Sequence, residues 1–218
     1  MIRPIIRGEG YRLISFGLRY PDPDDLRAGF AEAEGTPLDS FSELGRLVDE
    51  EMPGEYNRLF ATGVAVPPYE SSYGRIDKGI SIGQIATLYA QFGVKVGAGE
   101  QELPDHAGTE AEFMALLCVL EERARREGRV EEVASVGRAR RVFAEEHMGR
   151  WIPRFAERLG QATVHPFYRR LGELMSAWVA MDLAEHAWET ETAEPPAGAE
   201  EPECVSCPMA REEREDVT

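Results

Sequence analysis

Pro104-Asp105-His106-Ala107-Gly108-Thr109-Glu110-Ala111-Glu112-Phe113-Met114-Ala115-Leu116-Leu117-Cys118-Val119-Leu120 is the stretch from which the fold is read. Proline, aspartate and glycine keep its first residues in a loop. From Thr109 onward Phe113, Leu116, Leu117 and Leu120 recur at intervals of three and four, the spacing of one buried helix face. Thr109 reads as the N-cap and Glu112, three residues on, as the second half of a capping box. The spacing predicts a helix from Thr109 to about Arg126, entered through an irregular polar loop.

The same period extends outward in both directions. Tyr11, Ile14 and Leu18 predict a helix from about Gly8 to Arg19, stopped by Pro21 and Pro23. Phe41, Leu44, Leu47 and Val48 predict one starting near Pro37, and Tyr56, Leu59 and Phe60 a short one over Glu55 to Ala61. Pro67 and Pro68 forbid a regular helix in the following loop to Gly74. Ile82, Ile85, Ala86, Tyr89 and Phe92 form the next stripe, closed by Gly93 as a left-handed cap. Val133, Val136, Val142 and Phe143 mark a helix over Glu132 to Met148, and the last helix opens at Pro166 with Phe167, Leu171, Leu174, Met175, Trp178 and Met181 inward. No run alternates like a strand and no repeat of solenoid length appears. The expected fold is all-α: one compact helical domain over 1–188, then an acidic, flexible tail over 189–218 whose Glu, Pro, Ala and Gly are too polar to offset the entropy of ordering.

Composition narrows the function. The 218 residues carry a net charge of −16, and more than half of that excess falls from Glu185 onward. An acidic body repels a phosphate backbone, so nucleic acid is excluded as a partner. Arg138, Arg140 and Arg141 sit among Glu131, Glu132, Glu145 and Glu146 and read as a solvated helix face with intrahelical pairs. No apolar run reaches the roughly 20 residues of a membrane span, and no signal pattern opens the chain, so the expected location is cytoplasmic, without stable membrane insertion. The three cysteines, Cys118, Cys204 and Cys207, are too few and too unevenly placed for a disulfide framework.

Enzyme signatures are missing: there is no phosphate loop, dinucleotide fingerprint or nucleophile elbow, and no cofactor is expected. Asp105, His106, Glu110 and Glu112 could share a divalent cation, but their spacing matches no standard zinc site. In the competing reading Asp105 and His106 shape the loop, while Glu110 and Glu112 serve the helix start. Cys204 and Cys207 have the spacing of half a metal site and lack the remaining ligands. Two Pro-containing loops stand out. Together Tyr69, Glu70, Tyr73, Asp105 and His106 would line a groove of aromatic surface and negative charge, suited to an apolar peptide bearing arginines.

Five segments then fit one family in order: Tyr56-Asn57-Arg58-Leu59-Phe60; Pro67-Pro68-Tyr69-Glu70-Ser71-Ser72-Tyr73; Pro104 to Met114; Phe143 to Met148 leading to Trp151-Ile152-Pro153-Arg154-Phe155; and Pro166-Phe167-Tyr168. The chain resembles the TorD/DmsD/NarJ family of redox-enzyme maturation chaperones over roughly Gly8 to Asp182. The resemblance implies a non-enzymatic cytoplasmic chaperone, monomeric or homodimeric. Such a chaperone binds the twin-arginine leader, the apo-form, or both, of a molybdopterin oxidoreductase catalytic subunit until cofactor insertion is complete. It implies leader recognition by Pro104, Asp105 and His106 with Glu110 and Glu112 on the adjoining helix, and by Tyr69, Glu70 and Tyr73 as the other wall. The family often has Trp where Tyr69 stands, which bears on leader preference. The Cys-containing tail has no counterpart in it. Two alternatives stay open: a NarJ-like, leader-independent assembly factor for a nitrate-reductase-type enzyme, and a small metal-dependent hydrolase built on Asp105, His106, Glu110 and Glu112.

Overall fold

The structure, a computed structural model, describes residues 2–62, 64–74, 78–95 and 103–191, so Cys204, Cys207 and most of the 189–218 segment lie outside the described residues. Helix α1 (Pro4–Gly17) starts one turn earlier than its apolar spacing suggests, because Pro4 is pre-set for a first helical position. Helix α2 (Pro23–Ala31) escapes the sequence reading, which treated Pro21 and Pro23 only as breakers. Asp22 caps it, accepting from Asp24 N at 3.0 Å and Asp25 N at 3.1 Å, and Pro23 fills the first position. Helices α3 (Asp39–Arg46) and α4 (Met52–Tyr56) follow, and α4 runs into a π-helical turn, Asn57–Ala61. After a single 3-10 turn, Glu70–Ser72, α5 (Lys78–Gln91) ends where expected, with Gly93 at φ +73°. Of its predicted stripe, Ile85 and Tyr89 are buried and Ala86 is exposed.

Helix α6 (Ala107–Arg126) begins two residues before the predicted cap. The N-cap is His106, whose Nδ1 accepts from Gly108 N at 3.1 Å, and Thr109 lies inside the first turn. Glu112 does not close a capping box; it turns to Ser15 and Arg19 instead. Helix α7 (Val130–Phe143) passes through a second π-helical turn, Ala144–Met148, into α8 (Gly149–Ala162), which contains Pro153. The sequence reading assigned no helix there. Pro153 is tolerated near the start of α8, where the preceding π turn already interrupts the ordinary ladder. Helix α9 (Pro166–His186) is capped by His165, whose Nδ1 accepts from Phe167 N at 3.2 Å. Among the described residues there is no strand, only an isolated antiparallel bridge between Tyr69 and His106.

Helix α1 is the central element, packed along α6 and against α9; α8 covers α9, α7 covers α6, and α2 pairs with α3. Close approach of α1 depends on glycine. A Cβ on Gly8 would stand 3.0 Å from Cys118 Cβ, and one on Gly10 would stand 2.2 Å from the Trp178 ring, whose Nε1 donates to Arg7 O at 3.3 Å. Gly10→Ala is therefore expected to lower unfolding stability by about 2 kcal/mol despite its better helix propensity, because Trp178 has no free space to move into. Denaturant titration of this variant against Gly137→Ala, whose added Cβ meets nothing within 4 Å, checks the contrast.

One reading of the charged residues is corrected. Arg140 is not on a solvated face: it is 1% exposed and pairs across helices with Glu121 of α6 and Asp182 of α9. Arg141 does pair with Glu145 one turn on, at 2.9 Å. The period is the reason: on α7, position 140 falls on the same side as Val136 and Phe143, so it points inward with them. Val142, counted above with the buried face, is 42% exposed.

Candidate functional site

The two Pro-containing loops meet as the sequence suggests. Glu70 N donates to Asp105 O at 2.9 Å, Ala107 N donates to Pro68 O at 2.9 Å, and the rings of Tyr69 and His106 stand edge to face with centroids 5.4 Å apart. Ser71 N donates to Asp105 Oδ2 at 3.2 Å, and Tyr89 OH to Pro104 O at 2.9 Å, so α5 is tied to the same junction. Asp105 thus positions the 69–73 loop through its side chain and backbone together.

The predicted residues do not form one open wall. Asp105 and Glu110 are fully buried, His106 and Tyr73 nearly so, and Pro104 is buried with them. Tyr73 packs on Trp151 and Phe155, with the Arg158 guanidinium 5.4 Å above its ring, and burial raises its hydroxyl pKa. The sequence expectation of an exposed acidic groove misplaces these groups, because short polar side chains on a loop that plugs a helical core turn inward to satisfy backbone donors.

Behind the junction lies a carboxylate cluster. Glu110 Oε2 accepts from Trp151 Nε1 at 3.0 Å. Burial, with the neighbouring charges of Glu70 and Asp105, pushes the Glu110 carboxyl well above its ordinary range against the opposing Trp151 bond. Glu70 accepts from Ser81 Oγ at 3.2 Å and pairs with His147 Nδ1 at 3.0 Å. His147 and Trp151, which the sequence analysis does not single out as site candidates, thus contact Glu70 and Glu110. The π turn is what aims His147 at Glu70, and its presence is not written in the local sequence.

Two cavities flank the junction. One, about 560 Å³, opens between α1 and α6 and is lined by His106, Glu112, Tyr20, Tyr56, Arg19 and Lys95 among others. Glu112 is half-exposed there and paired with Arg19 at 2.5 Å. The other, about 670 Å³, runs between α5 and the π turn at 144–148, with Glu70 and His147 on its floor. Of the candidates, His106 and Glu112 reach the first cavity and Glu70 the second. Among the described residues no group of three or more His, Cys, Asp or Glu is arranged to hold a metal ion, so the four residues of the hydrolase alternative do not converge. Nor is any helix among them long and apolar enough to cross a membrane.

Comparison with known proteins gives a consistent picture. Residues 23–157 match the model of the family described as nitrate reductase delta subunit. The chain is 32% identical to the chlorate reductase assembly chaperone protein of Ideonella dechloratans over 178 residues, 79% of this chain and 87% of that one. It is 34% identical to the selenate reductase assembly chaperone protein of Thauera selenatis over 139 residues, 60% and 70% of the two chains. The chaperone protein TorD of Vibrio cholerae aligns at 29% identity over about half of each chain. The crystal structure of an Archaeoglobus fulgidus protein assigned to redox enzyme maturation superposes with a TM-score of 0.57 at 25% identity, covering 79% of this chain and 93% of that one.

Proposed function

We propose that this chain, which belongs to the nitrate reductase delta subunit family, is a system-specific assembly chaperone for a molybdoenzyme. It takes up the catalytic subunit before the cofactor is in place and releases it once assembly is complete. The observation that carries this reading is the alignment with a chlorate reductase assembly chaperone over 79% of the chain, since a helical fold alone assigns no function. The site fits it: two loops locked together by backbone bonds, flanked by cavities of about 560 and 670 Å³, offer a rigid recognition surface. The chaperone carries out no covalent chemistry, works in the cytoplasm, and is built as one helical domain over 1–188 with 189–218 appended. Its partner is the apo-subunit, engaged through the arginine-bearing leader at the 69–73 and 104–106 loops.

The test is purification of the tagged chain from its own host under conditions where a molybdenum reductase is induced. A co-purifying catalytic subunit with less than about a tenth of the molybdenum of the mature enzyme is expected, and so is loss of reductase activity on deleting the chaperone. An unchanged reductase in the deletion strain would sink the reading. Removing the leader from the subunit then separates the leader-dependent mode from the NarJ-like one, in which binding survives.

A further inference from the structure

Residues 187–190 leave α9 and cross onto the joint between α7 and α8. His186 closes α9, and Ala187 takes the left-handed conformation, φ +51° and ψ 38°, where glycine is the usual residue. Trp188 N donates to Leu183 O at 3.0 Å and Ala187 N to Ala184 O at 3.3 Å, so the helix end is fully capped despite the Cβ. The Trp188 ring then stacks on His186 with centroids 4.3 Å apart, and the Arg140 guanidinium lies over it at 5.0 Å. Arg140 belongs to α7 and to the buried ion network, so Trp188 is fastened to α7 as well as to its own helix.

Glu189 and Thr190 bind the π turn at 144–148. Glu189 N donates to Glu145 Oε1 at 3.0 Å, and Thr190 Oγ1 donates to Glu145 O at 2.8 Å. The second bond meets a need that the turn itself creates. An ordinary helix would bring Gly149 N–H to Glu145 O, four residues back. In the π turn Gly149 N–H reaches one residue further, to Ala144 O. Thr190 thus supplies a donor to the carbonyl that the wide turn deprives of its helical one. Gly149 leaves room for it: a Cβ there would stand 2.5 Å from Ala144 O and 3.3 Å from Thr190 Cγ2. The Glu145 carboxylate is held in turn by Arg141 Nε at 2.9 Å.

We infer that residues 187–190 form a latch that keeps the 144–148 segment in its π conformation, which makes Trp188 and Thr190 positioning residues for the His147–Glu70 pair. An α-helical turn in its place would satisfy Glu145 O from within the helix. It would also shift the register by one residue, about 100° round the axis, and carry His147 off Glu70. Glu70 begins the 3-10 turn whose backbone is bonded to Asp105, so losing its partner loosens the junction of the two loops. Residues beyond α9, outside the 23–157 span of the family match, thereby govern a contact inside it. The bearing of the latch on client binding rests on the proposed reading of that junction; its geometry does not.

The experiment reads the ring nitrogens of the four histidines by NMR in the full chain, labelled at histidine and held well below its melting temperature, where a uniform loss of stability does not move them. His147→Gln assigns the His147 signals, and Glu70→Gln marks where they lie once the pair is broken. Thr190→Val keeps the shape of the side chain and removes the hydroxyl. It is expected to move the His147 signals towards the Glu70→Gln position and to speed amide exchange at residues 145–149 roughly three- to tenfold, the equivalent of one hydrogen bond. Trp188→Ala should move the signals the same way, and Thr190→Ser should leave them in place. His147 signals that stay put in both Thr190→Val and Trp188→Ala overturn the latch. Equal movement in Thr190→Ser and Thr190→Val overturns the role of the hydroxyl. Client binding is read separately, as the yield of apo-subunit co-purified with each variant. A roughly three- to tenfold fall with Thr190→Val, restored by Thr190→Ser, is expected. An unchanged yield from a variant whose His147 has moved overturns the link to client binding. Absence of any co-purified subunit with the unaltered chain overturns the chaperone reading, on which the histidine spectra do not depend.

Discussion

Asp182→Ala is expected to destabilise the protein by about 3–5 kcal/mol. Asp182 is fully buried on α9 and holds three side chains from two other helices, α1 and α7, at once. Its Oδ1 lies 2.8 Å from Arg7 Nε and 3.3 Å from Arg140 Nη2, and its Oδ2 accepts from Tyr11 OH at 2.9 Å. Both arginines are 1% exposed, so removing the carboxylate leaves two guanidinium groups in the core with only Glu121 and Glu185 to balance them. The stability of a paired charge is not what is lost; the cost comes from stranding its partners in a medium that solvates them poorly. Asp182→Asn keeps the Tyr11 bond and the volume but not the charge, and a smaller loss is expected. Replacing Arg7, Arg140, Glu121 and Asp182 together by apolar residues of similar size is expected to recover most of the loss.

The pH dependence gives a second readout of the same network. Burial works to raise the Asp182 carboxyl, but the His186 hydrogen bond and the charges of Arg140 and Arg7 outweigh it and hold the folded-state value below the ordinary one. A group depressed in the folded state contributes stability that is present above its unfolded pKa of about 3.9 and is lost as pH falls through the folded value. Asp182→Asn should therefore unfold with a shallower acid limb than the unaltered protein. Equal acid limbs in urea titrations at pH 5 and pH 3 would show that Asp182 is not held in its charged form.

Glu110 carries the second large effect, with the opposite dependence on pH. Glu110→Ala leaves Trp151 Nε1 without its acceptor in a fully buried site and opens a cavity beside it, a loss of about 2–4 kcal/mol. Glu110→Gln keeps both the acceptor for Trp151 and a donor towards Glu70. Because burial raises the Glu110 carboxyl well above its ordinary value, the folded protein holds a proton there that the unfolded chain has released. That contribution is fully present below the unfolded pKa of about 4.3 and declines as pH rises towards the folded value. Glu110→Gln, which cannot lose the proton, should be at least as stable as the unaltered protein at pH 8 and hold no advantage at pH 4. A Gln variant less stable than the original at pH 8 would mean that Glu110 is ionised in the fold. Thermal melts at the two pH values decide this without reference to any ligand.

Much of this protein was legible in its residues. Stripes such as Phe113, Leu117 and Leu120 or Phe167, Leu171 and Met175 have a helical period whatever they pack against, and they were enough for an all-helical domain. Proline at Pro166 and glycine at Gly93 act through local backbone geometry, so those helix ends were readable too. Helix α2 carried an equally local signal in Asp22-Pro23 that was read as an interruption only. The two Pro-containing loops were also legible as irregular segments, and the structure brings them into contact through Glu70, Asp105, Pro68 and Ala107.

Which way the polar side chains of those loops face could not be read from one dimension. Asp105 and Glu110 became interior groups because the 69–73 loop lays its backbone donors against the α6 entrance, a contact between segments over thirty residues apart. Arg140 became a core residue because α6 and α9 bring Glu121 and Asp182 to it. His147 became the partner of Glu70 because a π turn rotates it out of the ordinary helical register. The sequence by itself determined most of the helices, though not α2 or α8, together with the order of the loops and the family, since these depend on residue type and short-range spacing. Burial, pairing and the charge of each cavity were decided only by tertiary structure, because solvation and Coulomb interactions depend on distances between atoms that the chain order does not contain.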